Sequence, residues 1–372
     1  MSGRSVNELL APEVILREVS RIQLPKTVLS DLFGWGLASR NPDAMTGNMI
    51  DYPLRDGSYD VYNRTRLLAT ATVPGTANVN VKPQKAGRVR FTIPRIAEQI
   101  PLTDEEMVNR RQIGQAVTVI DAMGENYIMR QKRYLAEKVA NSIEFQTAAL
   151  FRGSYTFDQV GDELRMGFSG GADTIDYQVS SNHKNQLNGI ITVSWAIPSS
   201  DIIGNMAAIN RQSNADSGLG IEHAVCNSVT WQYIVNNDKI KAQAGTSNTP
   251  FETYTRTGPG TRAITLRALP EIQWHIVDYT LDIWDTSAFT STMLIADDQV
   301  TLFPTPSPDW VQYLNGGEVV SEGPNGVRAF RSGFYAYGYN QWNPSGWNLC
   351  TVMNGIPALY IPDGIFNADV TP

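Results

Sequence analysis

Cysteine is nearly absent: Cys226 and Cys350 are the only two in 372 residues. They lie far apart in sequence, so no disulfide framework holds the fold, and the chain suits a reducing cytoplasm. Neither stands in a CxxC pair or beside a histidine, which leaves a thiolate nucleophile without visible activation; both read as buried fillers. Histidine is as scarce. No two of His183, His223 and His275 lie two to four residues apart and their sequence contexts are unrelated, which argues against a metal site. No GxSxG, HExxH or Walker sequence occurs, and "GPGTR" at 258–262 lacks the Lys-Ser/Thr of a phosphate loop, so it reads as a turn. No run of 18 apolar residues exists, which excludes a helical membrane span. The opening "MSGRSVNELLAPEV" lacks the basic-then-apolar order of a secretory signal. Positive charge is also short: 30 Lys and Arg against 37 Asp and Glu give a net charge of −7, which excludes a protein that wraps nucleic-acid phosphates. No catalytic, cofactor-binding or metal-binding residue is expected.

What remains is a globular composition, 42% hydrophobic and 18% charged, long enough for two or three compact units or one domain with large insertions. Its most conspicuous element is "YIMRQKRYLAEKVANSIEFQTAAL", residues 127–150, which no proline interrupts. Ile128, Leu135, Val139, Ile143 and Leu150 recur at spacings of four and seven, one face of a 3.6-period helix. Arg130, Lys132, Glu137, Lys138 and Glu144 mostly fall elsewhere, as a solvated or partner-facing surface requires. Arg152 and Gly153 close the helix with a cation and a residue that tolerates positive φ. Its 24 residues would span roughly 36 Å. Tyr134 and Phe145 lie off the stripe, against the parent domain or against a neighbouring chain.

Residues 51–101 change character. "TATV", "NVNVK" and "RVRFTI" alternate with β-branched residues between Pro74-Gly75, Pro83 and Gly87, which predicts a long antiparallel hairpin. Eight bases (Arg55, Arg64, Arg66, Lys82, Lys85, Arg88, Arg90, Arg95) stand there against four acids. So extended a hairpin, with few large apolar residues, must lie on another surface to be stable. From Ala268 onward the balance inverts to eleven acids against Arg328 and Arg331, which suggests complementarity between copies.

Elsewhere, Thr103 and Glu106 form a capping box. "NGIITVSWA" predicts a strand. Ser199 or Ser200 predicts the cap of a helix bearing Ile202, Ile203, Met206 and Ile209. "SVTWQYIVNNDKIKAQ" predicts another helix, and "ITLRALPEIQWHIVDYTLDIW" two strands joined through Leu269-Pro270. "TSTMLIADDQV" predicts a strand ending at Asp297-Asp298, a pair that would point to opposite faces and so could not share acid–base work. Phe334, Tyr335, Tyr337, Tyr339 and Trp342 would make a sugar platform or, as the alternation favours, a strand with its tyrosines on one face.

Taken in order, "VKPQKAGRVRFTIPRIAEQIPL", "AEKVANSIEFQTAALFRGSYTF", "ITVSWAIPSSDIIGNMAAINR", "TMLIADDQV" and "WNLCTVMNGIPALYIPDGIFNADV" resemble the phage lambda-like major capsid proteins of tailed phages. The resemblance implies an α+β chain of the Hong Kong 97-type fold. Residues 1–50 would be an N-terminal arm, 51–101 the extended β-hairpin loop reaching over a neighbour, and 102–199 a peripheral domain with a spine helix at 127–150. Residues 200–345 would be the axial domain and 346–372 a return to the peripheral domain. It further implies self-assembly into hexamers and pentamers of an icosahedral head around double-stranded DNA, in a virion assembled in the host cytoplasm. Intersubunit contacts would come from Arg64, Arg66, Lys82, Lys85, Arg88 and Arg90. Scaffolding, portal and decoration proteins would be partners, DNA would be enclosed without specific binding, and no membrane is involved. Rival readings are an encapsulin-type compartment shell and a tail or baseplate protein with an aromatic glycan-binding surface.

Overall fold

The computed structural model describes residues 27–36, 48–62, 86–103, 105, 122–157, 173–243, 251–258, 261–285, 288–322, 327–342 and 345–371. In chain order these form α1 (Leu29–Leu32), β1 (Met49–Tyr52), β2 (Asp56–Val61), β3 (Gly87–Thr92), β4 (Arg95–Thr103), α2 (Ala122–Arg152), β5 (Ser154–Phe157), β6 (Asp173–Asp176), β7 (Lys184–Asn185), α3 (Ile202–Asp216), β8 (His223–Cys226), α4 (Ser228–Asn236) and α5 (Asp238–Gln243). Strands then dominate: β9 (Phe251–Gly258), β10 (Thr261–Leu266), β11 (Leu269–Val277), β12 (Thr280–Asp285), β13 (Ala288–Met293), β14 (Gln299–Phe303), β15 (Val311–Glu322), β16 (Val327–Ser332), β17 (Phe334–Trp342), β18 (Ser345–Leu359) and β19 (Phe366–Asp369).

Two sheets organise this α+β chain. The first runs β1-β15-β18-β17, with β16 paired to β15 and β4 to β18. The second runs β7-β19-β14-β8-β11-β10-β9. Each has its own core. One gathers α1, the buried stripe of α2 and residues of β14, β15 and β18; the other lies between the second sheet and α3, α4 and α5.

The long helix runs further than its periodicity predicted, 31 residues or about 46 Å. Ile128, Leu135, Val139, Ile143 and Leu150 are all buried to 1% exposure or less, each contributing roughly 1.5–3 kcal/mol of apolar burial. Lys132 and Glu144, expected on its outer surface, are buried as well. The last three turns of α2 are covered by α1 and β18 together, so burial there goes round the helix. Gly153, at φ 79°, ends it; a Cβ there would lie 2.6 Å from Lys184 Nζ, and the glycine lets the chain turn at once into β5. Tyr134 is half exposed. Phe145 packs edge-on to Tyr155 at 6.2 Å, under the Arg152 guanidinium.

Several local expectations give way to tertiary structure. "NGIITVSWA" is not a strand: it is a 3₁₀ turn at Leu187–Gly189 followed by irregular chain. Ile191 and Trp195 serve the core with their side chains, and the Trp195 N–H donates to Val370 O at 2.8 Å. The cap of α3 is Asp201, not Ser199 or Ser200; its carboxylate accepts the Gly204 N–H at 3.1 Å. The next helix divides into α4 and α5 at Asn237, whose side chain donates to Ser200 O at 2.8 Å. The β10–β11 turn precedes Leu269, and "TLDIW" goes to a separate pair, β12–β13. Asp297-Asp298 separates β13 from β14, with Asp298 at φ 61°.

Pairing links strands that lie far apart in sequence. β4, counted above with the hairpin, pairs along its length with β18. β15, β16 and β17, counted with residues 200–345, belong to the sheet against which α2 packs. A boundary at 345 would split the β17–β18 hairpin, in which Trp342 opposes Ser345. The C-terminal stretch divides too, because β18 stays with α2 while β19 crosses to the second sheet beside β14.

Candidate functional site

The basic hairpin is rooted at β2–β3, in register from Asp56–Thr92 to Val61–Gly87. Alternation sorts its faces. Tyr59, Val61, Val89 and Phe91 are buried, and the body holds them through Tyr62 N–H to Tyr360 O at 3.0 Å and Leu359 N–H to Tyr59 Oη at 3.3 Å. The outer face carries Arg88 and Arg90, both exposed. Arg88 Nε meets Asp60 at 3.2 Å, an exposed pair worth about 0–1 kcal/mol. Arg64, Arg66, Lys82 and Lys85 lie outside the described residues.

At the foot of this hairpin is a polar knot that no sequence pattern announced. Arg95 Nε donates to both Glu318 oxygens, at 2.9 and 2.8 Å. Tyr335 Oη (2.9 Å) and Asn354 Nδ2 (3.2 Å) complete the carboxylate. Burial opposes its ionisation, yet these hydrogen bonds and the guanidinium charge hold Glu318 below the ordinary glutamate range. From the knot the tyrosines of β17 run along one face: Tyr335 stacks on Tyr337 at 6.1 Å and Tyr337 on Tyr339 at 6.3 Å. Tyr335 is spent on Glu318, and Tyr339 donates to Gln99 at 3.3 Å, so the stripe is committed to its own sheet rather than offered as a sugar platform.

A second feature fixes the segment before β1. Glu144, wholly buried on α2, accepts Leu29 N–H at 3.0 Å, Ser30 N–H at 2.9 Å and Ser30 Oγ at 2.5 Å. Burial pushes its carboxyl up to about 7. Trp35 Nε1 donates to Thr147 at 3.0 Å, and Phe33 stacks between Trp35 (4.7 Å) and Phe303 (5.2 Å). Two residues after Glu144, Gln146 donates to Gly355 O at 3.1 Å and accepts from Tyr313 Oη at 2.6 Å. The helix is thus clamped by the N-terminal segment on one side and by β15 and β18 on the other.

The residues that could carry chemistry are otherwise engaged. Burial pushes the Cys226 thiol far above its usual range and the Cys350 thiol up to about 11. Burial lowers His275 to about 4 and lowers His223 too, and the two rings share a hydrogen bond at 3.1 Å. His183 lies flat on Phe366 at 3.9 Å and bonds Asp216 at 3.0 Å. Among the described residues no group of three His, Cys, Asp or Glu side chains is placed to hold a metal ion.

Comparison with known proteins places this geometry. The family model described as phage major capsid protein E matches residues 57–370. A crystal structure of a protein described as a prophage capsid protein, from E. coli CFT073, superposes at TM-score 0.60 with 10% identity, covering 100% of both chains. A phage-related protein from Bordetella bronchiseptica RB50 superposes at 0.52 with 12% identity, covering 97% of both. No curated protein matches the sequence. At such identities the structures speak for fold alone: it is the Hong Kong 97-type arrangement of long helix, hairpin and paired sheets.

Proposed function

The chain belongs to the family described as phage major capsid protein E, and we propose that its copies close as hexamers and pentamers into an icosahedral head around double-stranded DNA. As a major capsid protein it is a structural subunit of the virion shell. In this reading the first sheet and α2 are the peripheral domain, with α2 the long axis of a thin wall tile. The second sheet with α3, α4 and α5 is the axial domain, and residues 1–50 are the arm whose end Glu144 fastens. Scaffolding, portal and decoration proteins are its partners during assembly in the host cytoplasm, and it has no catalytic role.

The observation that carries this reading is the paired root of the hairpin at Val61–Gly87. It sets the two ends of the stretch that carries Arg64, Arg66, Lys82 and Lys85 side by side, while the last third of the chain is acidic. A tile one subunit thick has little core for its surface and completes its burial against neighbours. The net charge of −7 suits a wall that encloses DNA without adsorbing it.

Self-association is therefore salt-sensitive. Charges on exposed surfaces are screened over about 10 Å at 0.1 M salt and about 3 Å at 1 M. Sedimentation of the purified chain is expected to show large assemblies at low salt that shrink toward subunits at high salt. Assemblies indifferent to salt would remove the charge pairing between hairpin and acidic third.

A further inference from the structure

A cavity of about 380 Å³ opens at the root of the hairpin, lined among others by Arg55, Ile93, Arg95, Gly317 and Glu318. We infer that it is a docking pocket in which Arg55 receives a carboxylate from a second copy of this chain. The inference rests on the shell reading and names one contact within it.

The pocket's charge is unbalanced. Arg95 and Glu318 neutralise each other in the knot described above, and Tyr335 and Asn354 fill the remaining acceptor positions of the carboxylate. Arg55 adds a second guanidinium. Its backbone is fixed, since the Ile93 N–H donates to Arg55 O at 2.8 Å. Its side chain is exposed and has no ion-pair or hydrogen-bond partner among the described residues. Among the described lining residues one positive charge is left over, on a side chain whose backbone is held.

The walls select what accompanies the anion. Ile93 is 2% exposed and closes on Gly316, where a Cβ would lie 3.0 Å from it. Gly317 has the Phe330 ring where its own Cβ would be, 2.1 Å away. Phe330 and Val319 oppose one another across β15 and β16 and are 57% and 62% exposed. An apolar lip beside a lone guanidinium fits a carboxylate carried on an apolar stem, which a protein supplies and a phosphodiester does not. The charge complementarity is present in the chain itself: eleven acids against two bases from residue 268 onward.

The test compares the full-length wild-type chain with Arg55→Glu, Arg55→Gln and Phe330→Ser by sedimentation and negative-stain microscopy, with circular dichroism to confirm folding. Arg55→Glu is expected to stay folded and to associate at least roughly tenfold more weakly, with Arg55→Gln and Phe330→Ser intermediate. Arg55→Gln also serves should the reversed charge disturb folding. Shells from Arg55→Glu and Arg55→Gln as readily as from wild type would overturn the pocket while leaving the shell reading intact. So would variants that form shells normally but lose enclosed DNA, since the pocket would then belong to a phosphate. A wild-type chain that forms no assembly would instead remove the shell reading itself, and this contact with it.

Discussion

Replacing residues 62–86 by a two-residue Asn-Gly turn is expected to leave a folded subunit that no longer closes into shells. The cut falls just beyond the last register pair of the hairpin, Val61–Gly87, and Asn-Gly is the turn that joins two antiparallel strands with the right twist. Tyr59, Val61, Val89 and Phe91 keep their buried places, so the thermal transition should change little. What is lost is Arg64, Arg66, Lys82 and Lys85, together with the surface that would overlap a neighbour. Circular dichroism and sedimentation read the two halves of this expectation separately. Closed shells from the shortened chain would show that the excursion does not hold subunits together.

Glu144→Ala is expected to have the largest effect of any single substitution in the body. The change strands the Leu29 N–H, the Ser30 N–H and the Ser30 hydroxyl in a buried place. Each unsatisfied donor costs about 1–3 kcal/mol, so the three together, about 3–9 kcal/mol, are a large share of the roughly 5–15 kcal/mol a domain has. Glu144→Gln keeps an acceptor oxygen and should cost much less. The pair also predicts a pH dependence. The carboxyl titrates near 7 in the folded chain against 4.5 for the ordinary side chain, raised by burial. Between those values the folded state binds more protons than the unfolded one, so stability from this group is whole below about 4.5 and drains away as pH rises through 7. Hydrogen exchange or limited proteolysis of residues 27–36 should report a looser segment at pH 8 than at pH 5.5, with that difference flattened in Glu144→Gln. An equal pH slope in both chains would mean that another group governs the segment.

The long helix was legible because its signal is local. Five apolar residues on one face and an uninterrupted run specify it, and Arg152-Gly153 marks its end. Its wider burial was not legible, since the cover comes from Leu29 and Ser30, more than a hundred positions away. The available hint was Glu144 itself, a carboxylate standing in the four-residue row of Ala136, Ala140 and Ala148. The tyrosine strand could be read from alternation alone. Arg95 and Glu318 could not be paired, because 223 residues separate them and neither stands in a pattern. Sheet membership could not be read for a related reason. β18 is 15 residues long and pairs with β4, β15 and β17, so strands distant in sequence share one sheet and composition shows no seam. "NGIITVSWA" misled because β-branched alternation records burial, and here burial is met by side chains without a ladder partner.

Electron cryomicroscopy of the purified full-length chain at low salt tests the central claim most directly. The account predicts closed shells whose walls resolve into hexamers and pentamers of one tile, with the β2–β3 excursion lying over an adjacent subunit. A well-folded monomer that stays dispersed at every salt concentration and pH tried would contradict it.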